Sequence, residues 1–296
     1  MRGTILLILI IALLNATLAS TYSQQTGEAD AKARAQKLLN QAREALGGEA
    51  KLEAIKSFSA AGKYRRVSQF QGQSSISEGE IGFDFLLPDK FLKTDTRLAP
   101  SGDKMTRLRG VNGDKYFQDS ISSNSAATSQ TIPSSSGPDP KDELRAECAR
   151  YLLAWLLTSS SSLPLEFSYA GEAKTKDGIA EVLVAKGPHG FAARLLLDQQ
   201  THRPVMLSYR GKAQRAMTIT GSGNGPINLT DAIKEAERQA SKEEEIEMQF
   251  SEYRAIDGLL LPHRIKQRAN GEDVEEWILT KFQINPPLKP EKFQKK

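Results

Sequence analysis

From about residue 58 to residue 284 the chain alternates between apolar and polar residues with a period of two. Ile81, Phe83, Phe85 and Leu87 alternate with Glu80, Gly82, Asp84 and Leu86. Leu165, Phe167 and Tyr169 alternate with Glu166, Ser168 and Ala170, and Ile246, Met248 and Phe250 with Glu245, Glu247, Gln249 and Ser251. This is the signature of strands with one buried face and one wet face. Similar runs lie near 58–67, 91–98, 104–111, 179–186, 191–198, 204–211, 214–220, 259–268 and 274–284. Links such as "KTKDG", "GPHG" and "DQQTHRP" are too short for parallel crossovers, which need a dozen residues or more. A meander of about 11–12 antiparallel strands is expected, and a sheet that wide curls. With helices available to cover one face, the expected fold is α+β: a curved antiparallel sheet, or open half-barrel, with helices over the concave face.

The helices are legible by their different period. Ala31, Ala35, Leu38, Leu39, Ala42 and Leu46 recur at helical spacing over 29–46, and Gly47-Gly48 ends the run. Ala50 to Ile55 adds about one turn. A second helix is expected over 140–157, with Asp139 as N-cap and Pro140 as first helical residue. Its stripe is Leu144, Cys148, Tyr151, Leu152, Trp155 and Leu156, which must be buried against something. Two insertions interrupt the meander: a serine-rich loop at 118–139, and a glycine-rich turn with a charged helix at 221–243. Arg2, an apolar run from Ile5 to Leu14 and the small-residue patch "NATLAS" read as a signal peptide over 1–19. Residues 20–296 then make one domain, expected in the periplasm or secreted.

The residues offer little reactive chemistry. The net charge of +4 is mild and spread out, and no aromatic-interleaved basic platform appears, so no nucleic-acid partner is expected. His189 and His202 sit in turns and His263 in a strand, where its ring is expected at a rim; none pairs with another at metal-ligand spacing. The stretch "TITGSGNGPINL" fails as a dinucleotide loop, because Pro226 replaces the third glycine and the helix does not start at once. No GxSxG elbow is present. The expectation is a monomer with no metal, no cofactor and no catalytic set. Cys148, the one cysteine, leaves no internal disulfide to form.

The closing hairpin reads as wall. Asn270-Gly271 supplies its turn, and Pro262, which cannot donate to the ladder, belongs at an edge or strand start. Ile278, Phe282 and Ile284 share one face of a regular strand while Trp277 and Leu279 share the other. Trp277 and Leu279 therefore need a cover: a helix, a partner or a lipid.

Together, "KLLNQAREALGGEAKLEAIKSFSAAGKY", "LPDKF", "LLLDQQTHRPVMLSYR" and "DGLLLPHRIKQRANGEDVEEWILTKFQINPPLKPEKF" resemble the outer-membrane lipoprotein-sorting (LolA-like) superfamily over about residues 29–293. The resemblance implies an open barrel plugged by helices, with a cavity for acyl chains of lipids or lipoproteins, a non-catalytic role, and an arginine that bolts the lid. The sequence singles out no such arginine. On this reading the lid contributes Leu152, Trp155 and Leu156, and the wall contributes Phe83, Phe85, Phe167, Tyr169, Met248 and Phe250. The alternative is an envelope sensor or scaffold domain that binds a protein partner without lipid, through the surface around Trp277.

Overall fold

Twelve antiparallel strands pair into one open sheet. They are β1 (Ser57–Phe70), β2 (Gln73–Leu86), β3 (Lys90–Leu98), β4 (Lys104–Asn112), β5 (Lys115–Ser122), β6 (Glu166–Thr175), β7 (Gly178–Lys186), β8 (Ala192–Asp198), β9 (Pro204–Lys212), β10 (Glu243–Ile256), β11 (Leu259–Ala269) and β12 (Glu272–Ile284). Their spatial order is β5-β4-β3-β2-β1-β12-β11-β10-β9-β8-β7-β6. Two meanders, β1–β5 and β6–β12, are thus joined where β1 pairs with β12, and β5 and β6 are the two edges. The computed structural model describes residues 27–70, 73–99, 101–123, 140–160, 163–212 and 243–294. The expected signal peptide, strand 214–220, the serine-rich stretch from 124 with Asp139, and the turn and charged helix up to 242 lie outside the described residues.

Helix α1 (27–46) and the short α2 (Glu49–Glu53) precede β1. Gly47 and Gly48 stop α1 at φ +129° and +104°, with the Gly48 N–H closing on the Arg43 carbonyl at 3.0 Å. A Cβ on Gly47 would strike the Gly258 carbonyl, so this end of α1 presses directly on the β10–β11 turn. Helix α3 (Pro140–Leu156) lies in the chain between β5 and β6, the two edges. At 1.5 Å per residue its 17 residues span roughly 25 Å, and it lies across the face of the sheet. Every residue of its expected stripe is buried, as are Leu153 and Ala154 on the other side.

The concave face is read from the ladder. Phe58, Phe85, Phe91 and Val111 face one another across β1–β4; one step along, Ala60, Phe83, Lys93 and Arg109 do. The main core cluster joins these apolar residues to α1, α3 and the inward side chains of β7–β12. On the opposite face Phe117 of β5 lies over Gly110, where a Cβ would collide with its ring, and Phe293 docks beside it with Leu92.

Several expectations change here. β5 begins at Lys115 and runs three residues before the expected loop starts at 118, continuing to Ser122. As an edge strand that pairs only with β4, it carries little apolar signal. Trp277 and Leu279 do not oppose Phe282 and Ile284. Gly62 pairs with Leu279 but Ala61 pairs with Lys281, so Thr280 is an extra residue, a β-bulge. The bulge resets the parity, and all four side chains belong to, or pack against, the same core cluster. The cover over Trp277 is α3, so this residue offers no partner surface. Asn270 and Gly271 both have positive φ, +48° and +83°, as a two-residue hairpin turn requires. Pro262 lies in a central strand, but it pairs with Tyr253 of β10 only, and the β11–β12 ladder begins at Arg264. His263 is not at a rim: it is 6% exposed and edge-on to Phe282, with ring centroids 4.8 Å apart.

Candidate functional site beneath helix α3

The bed of α3 has two parts. The first is an aromatic floor. Trp155 meets Phe83 at 5.0 Å, Phe58 at 5.7 Å and Phe85 at 5.9 Å between ring centroids, and Tyr151 stacks on it at 5.5 Å and 19°. Phe83 also touches Trp277 at 5.0 Å, and Phe91 touches Phe85 at 4.9 Å. These separations are those of rings in contact, so side chains of the chain itself fill this part of the concavity. The indole N–H groups of Trp155 and Trp277 are buried there without an acceptor. A buried donor without a partner is costly, about 1–3 kcal/mol, and two in one cluster require a reason.

The second part is ionic. Glu147 projects from α3 toward Lys93 of β3, with Nζ donating to its Oε1 at 2.7 Å, and Tyr151 Oη donates to the same atom at 2.6 Å. Arg109 of β4 closes on Glu147 at 3.3 Å. Burial by itself would raise the Glu147 carboxyl; the Arg109 and Lys93 charges and their hydrogen bonds outweigh it and hold the group well below the ordinary carboxylate range. Burial pulls Lys93 below its ordinary value, against the attraction of Glu147. Its ammonium also lies 5.2 Å from the Trp277 ring centroid, 5.5 Å from that of Tyr151 and 5.7 Å from that of Phe83. Farther along, Arg66 of β1 bridges Asp95 and Glu275, each at 2.8 Å. Burial first, then the Asp95 charge, push the neighbouring Tyr64 hydroxyl up to about 12.

These groups are placed to fasten the helix. The Tyr151 phenol is pushed well above its ordinary value by burial and then by Glu147, and burial likewise raises the Cys148 thiol. An acid that stays ionised and a phenol and thiol that stay protonated are poor proton shuttles near neutral pH. Among the described residues, no group of three or more His, Cys, Asp or Glu side chains gathers to hold a metal.

Helix α3 is fixed at its other turns too. Arg145 donates to the Gly113 carbonyl at 2.8 Å and to Asp114 at 2.6 Å, in the β4–β5 turn. Arg43 of α1 donates to the Leu157 carbonyl through Nε at 3.4 Å and Nη2 at 3.3 Å. Where the sequence marks out no fastening arginine, the described residues include three: Arg109, Arg145 and Arg43.

Beside the ionic part, between α3, β9 and the 3-10 turn Pro188–Gly190, opens a cleft of about 230 Å³. Lys93, Glu147, Arg150, Tyr151, Phe191 and Tyr209 are among its lining. His189 is a turn residue as expected, at φ +55°, and its Nδ1 lies 3.5 Å from Asp142 at this cleft.

Of the residues expected to bind a ligand, Phe83, Phe85 and Trp155 meet in the floor, and Leu152, Leu156, Met248 and Phe250 are buried in the same cluster. Phe167 and Tyr169 lie on the edge strand β6, half-buried and packed against the margin of the same cluster, with the Arg34 guanidinium of α1 3.8 Å over the Tyr169 ring. The alternation alone does not announce the ionic part, because a charged residue on a half-buried strand reads as belonging to the wet face. The phase was legible: Lys93 and Asp95 follow Phe91 at steps of two, Arg107 and Arg109 precede Val111, and Glu275 precedes Trp277.

No protein-family model matches the chain, and no curated protein matches it. Solved structures do resemble it. An outer membrane lipoprotein-sorting protein domain from Vibrio parahaemolyticus is 13% identical, with 87% of this chain and 96% of that one covered and a TM-score of 0.48. A LolA superfamily protein from Nitrosomonas europaea is 11% identical, covering 88% and 97%, with a TM-score of 0.44. A DUF1329 family protein from Desulfovibrio piger is 10% identical, covering 88% and 97%, with a TM-score of 0.42. The first two bear the names of the superfamily that the sequence resembles. With scores this low, the functional reading rests on the chain's own geometry.

Proposed function

We propose that this chain is a non-catalytic envelope protein that binds the acyl chains of lipids or of acylated proteins beneath α3. The observation that carries the reading is the two-part bed: a helix lies on an aromatic floor that includes two unpaired indole donors, and polar contacts fasten it. Polar contacts can be exchanged for water, so such a helix can lift. A lifted helix exposes the floor, and each methylene that takes its place gains about 0.8 kcal/mol. A chain of about sixteen carbons gains on the order of 10 kcal/mol before the costs of opening and ordering, which leaves binding reversible. A ligand carbonyl in the opened floor would also supply an acceptor for the indole N–H groups.

The chain's two tryptophans are both in this floor, so they report on it directly. Titration with a bromine-substituted fatty acid is expected to quench their emission to saturation. Emission unchanged at saturating fatty acid, with the protein still folded, rejects the reading. A second reading has one observation in its favour, the rings that already fill the floor. In it the domain is a scaffold that never opens and binds a protein partner elsewhere. Mass spectrometry of solvent extracts from the purified protein separates the two: co-purified lipid supports the carrier, and its absence supports the scaffold.

A further inference from the structure

Among the described residues that line the cleft beside α3, Arg150 and the exposed Arg210 are cations without a carboxylate partner, and Arg150 is the less exposed of the two. Arg150 lines it, and its guanidinium lies 3.8 Å over the Tyr209 ring and 5.6 Å from that of Phe191. Among the described residues no carboxylate lies within ion-pair distance of it, and its Nε is buried without an acceptor. Three of the five carboxylates that line the cleft are otherwise engaged. Glu147 is held by Lys93 and Arg109, Glu275 by Arg66, and Asp142 lies within 3.8 Å of Arg145 and 3.5 Å of His189. Glu143 and Glu243 line it too, but are exposed to water, as is Arg210.

We infer that this cleft binds the anionic head of an amphiphile, a carboxylate or a phosphate, on Arg150. The inference rests on the carrier reading for the tail and adds the charge class of the head. A guanidinium is a planar fork that matches either anion with two parallel hydrogen bonds, and stacking on Tyr209 fixes its plane in advance. The volume, about 230 Å³, is below the roughly 300–1,000 Å³ of sites that enclose a whole small molecule. It suits a head group, with the rest of the ligand elsewhere. The cleft adjoins the floor through Tyr151, which lines the one and is stacked on Trp155 in the other, so with α3 lifted a chain leaving the head site would reach the aromatic floor.

The test compares three brominated ligands by tryptophan quenching: a free fatty acid, its methyl ester, and phosphatidic acid with the same chains. The wild-type protein is expected to bind at least one of the two acids about tenfold or more tighter than the ester. Which acid is preferred distinguishes carboxylate from phosphate. Arg150→Met, checked for an unchanged unfolding transition, should lose the preference while keeping ester binding, and Arg150→Lys should keep part of it. Equal affinity of acid and ester in the wild type, or an acid preference that survives in Arg150→Met, overturns the inference and leaves the carrier reading standing. If no ligand quenches, the carrier reading falls. The head site is then decided by the Arg150 Nε–H resonance under inorganic phosphate: a saturable shift upholds it, and no shift overturns it.

Discussion

The aromatic floor and the ionic part beneath α3 support the same helix by opposite means. The floor gains from excluding water and has no directional partner to lose. The ionic part gains only while each charge keeps its partner, because Lys93 and Glu147 are both almost wholly removed from solvent. Packed rings are worn down side chain by side chain; a buried ion pair fails when either member goes. On the carrier reading, the comparison teaches how one well-buried helix could leave: part of what fixes its position is polar, and water can replace that part.

The sharpest way to break the comparison is to remove Glu147 alone. Glu147→Leu takes from the buried Lys93 its carboxylate partner, and is expected to cost about 3–5 kcal/mol in denaturant unfolding. Adding Lys93→Met should restore at least half of that loss, since apolar replacement of both members of a buried pair is often near neutral. Phe83→Ala in the floor should cost a similar 3–5 kcal/mol, but without a second substitution that restores it. Rescue in both parts, or in neither, removes the distinction.

The pH response sharpens it at intermediate size. Glu147 is depressed in the folded protein, so its contribution is full above the unfolded carboxylate value of about 4.5 and is lost as pH falls through and below it. His263 is also lowered, chiefly by burial, so the unfolded chain takes up its proton first. Stability should therefore begin to fall below about pH 6.5, by less than the full ~1.4 kcal/mol per pH unit. His263→Leu should flatten the profile between about pH 5 and 6.5 and leave the steeper acid limb unchanged. A profile unaltered by that substitution would show that the ring is not the group responsible.

The smallest effect belongs to Arg43. Its bonds to the Leu157 carbonyl are long, and Arg43→Gln should cost about 0.5–1.5 kcal/mol. Amide exchange in the last turn of α3 should then accelerate more than exchange in β1 or β12. Equal acceleration everywhere would mean that Arg43 supports the whole fold and not the helix end.

Much of this architecture was legible in the alternation, because a sheet with one wet face writes its parity into the chain. The floor was legible for the same reason: Phe83 and Phe85 in phase, and Trp155 on the stripe of α3. The reading failed where parity is broken or misleading. Thr280 shifts the phase of β12 within one strand, which made a single covered face look like two. Lys93 and Glu147 are 54 residues apart in the chain, and no local spacing announces that they meet. Arg150 lies just outside the apolar stripe, where a basic side chain on a helix reads as solvated.

The place of α3 in the chain has a mechanical consequence. It follows one rim of the sheet and precedes the other, so it is a strap buckled at both ends. Unbuckling a contact does not set it loose: recapture stays intramolecular, at a local concentration set by the length of the flanking links and not by dilution. Two cuts, one before Pro140 and one after Leu157, would turn that recapture into a bimolecular encounter, and holding the helix would then depend on how much protein is in the tube.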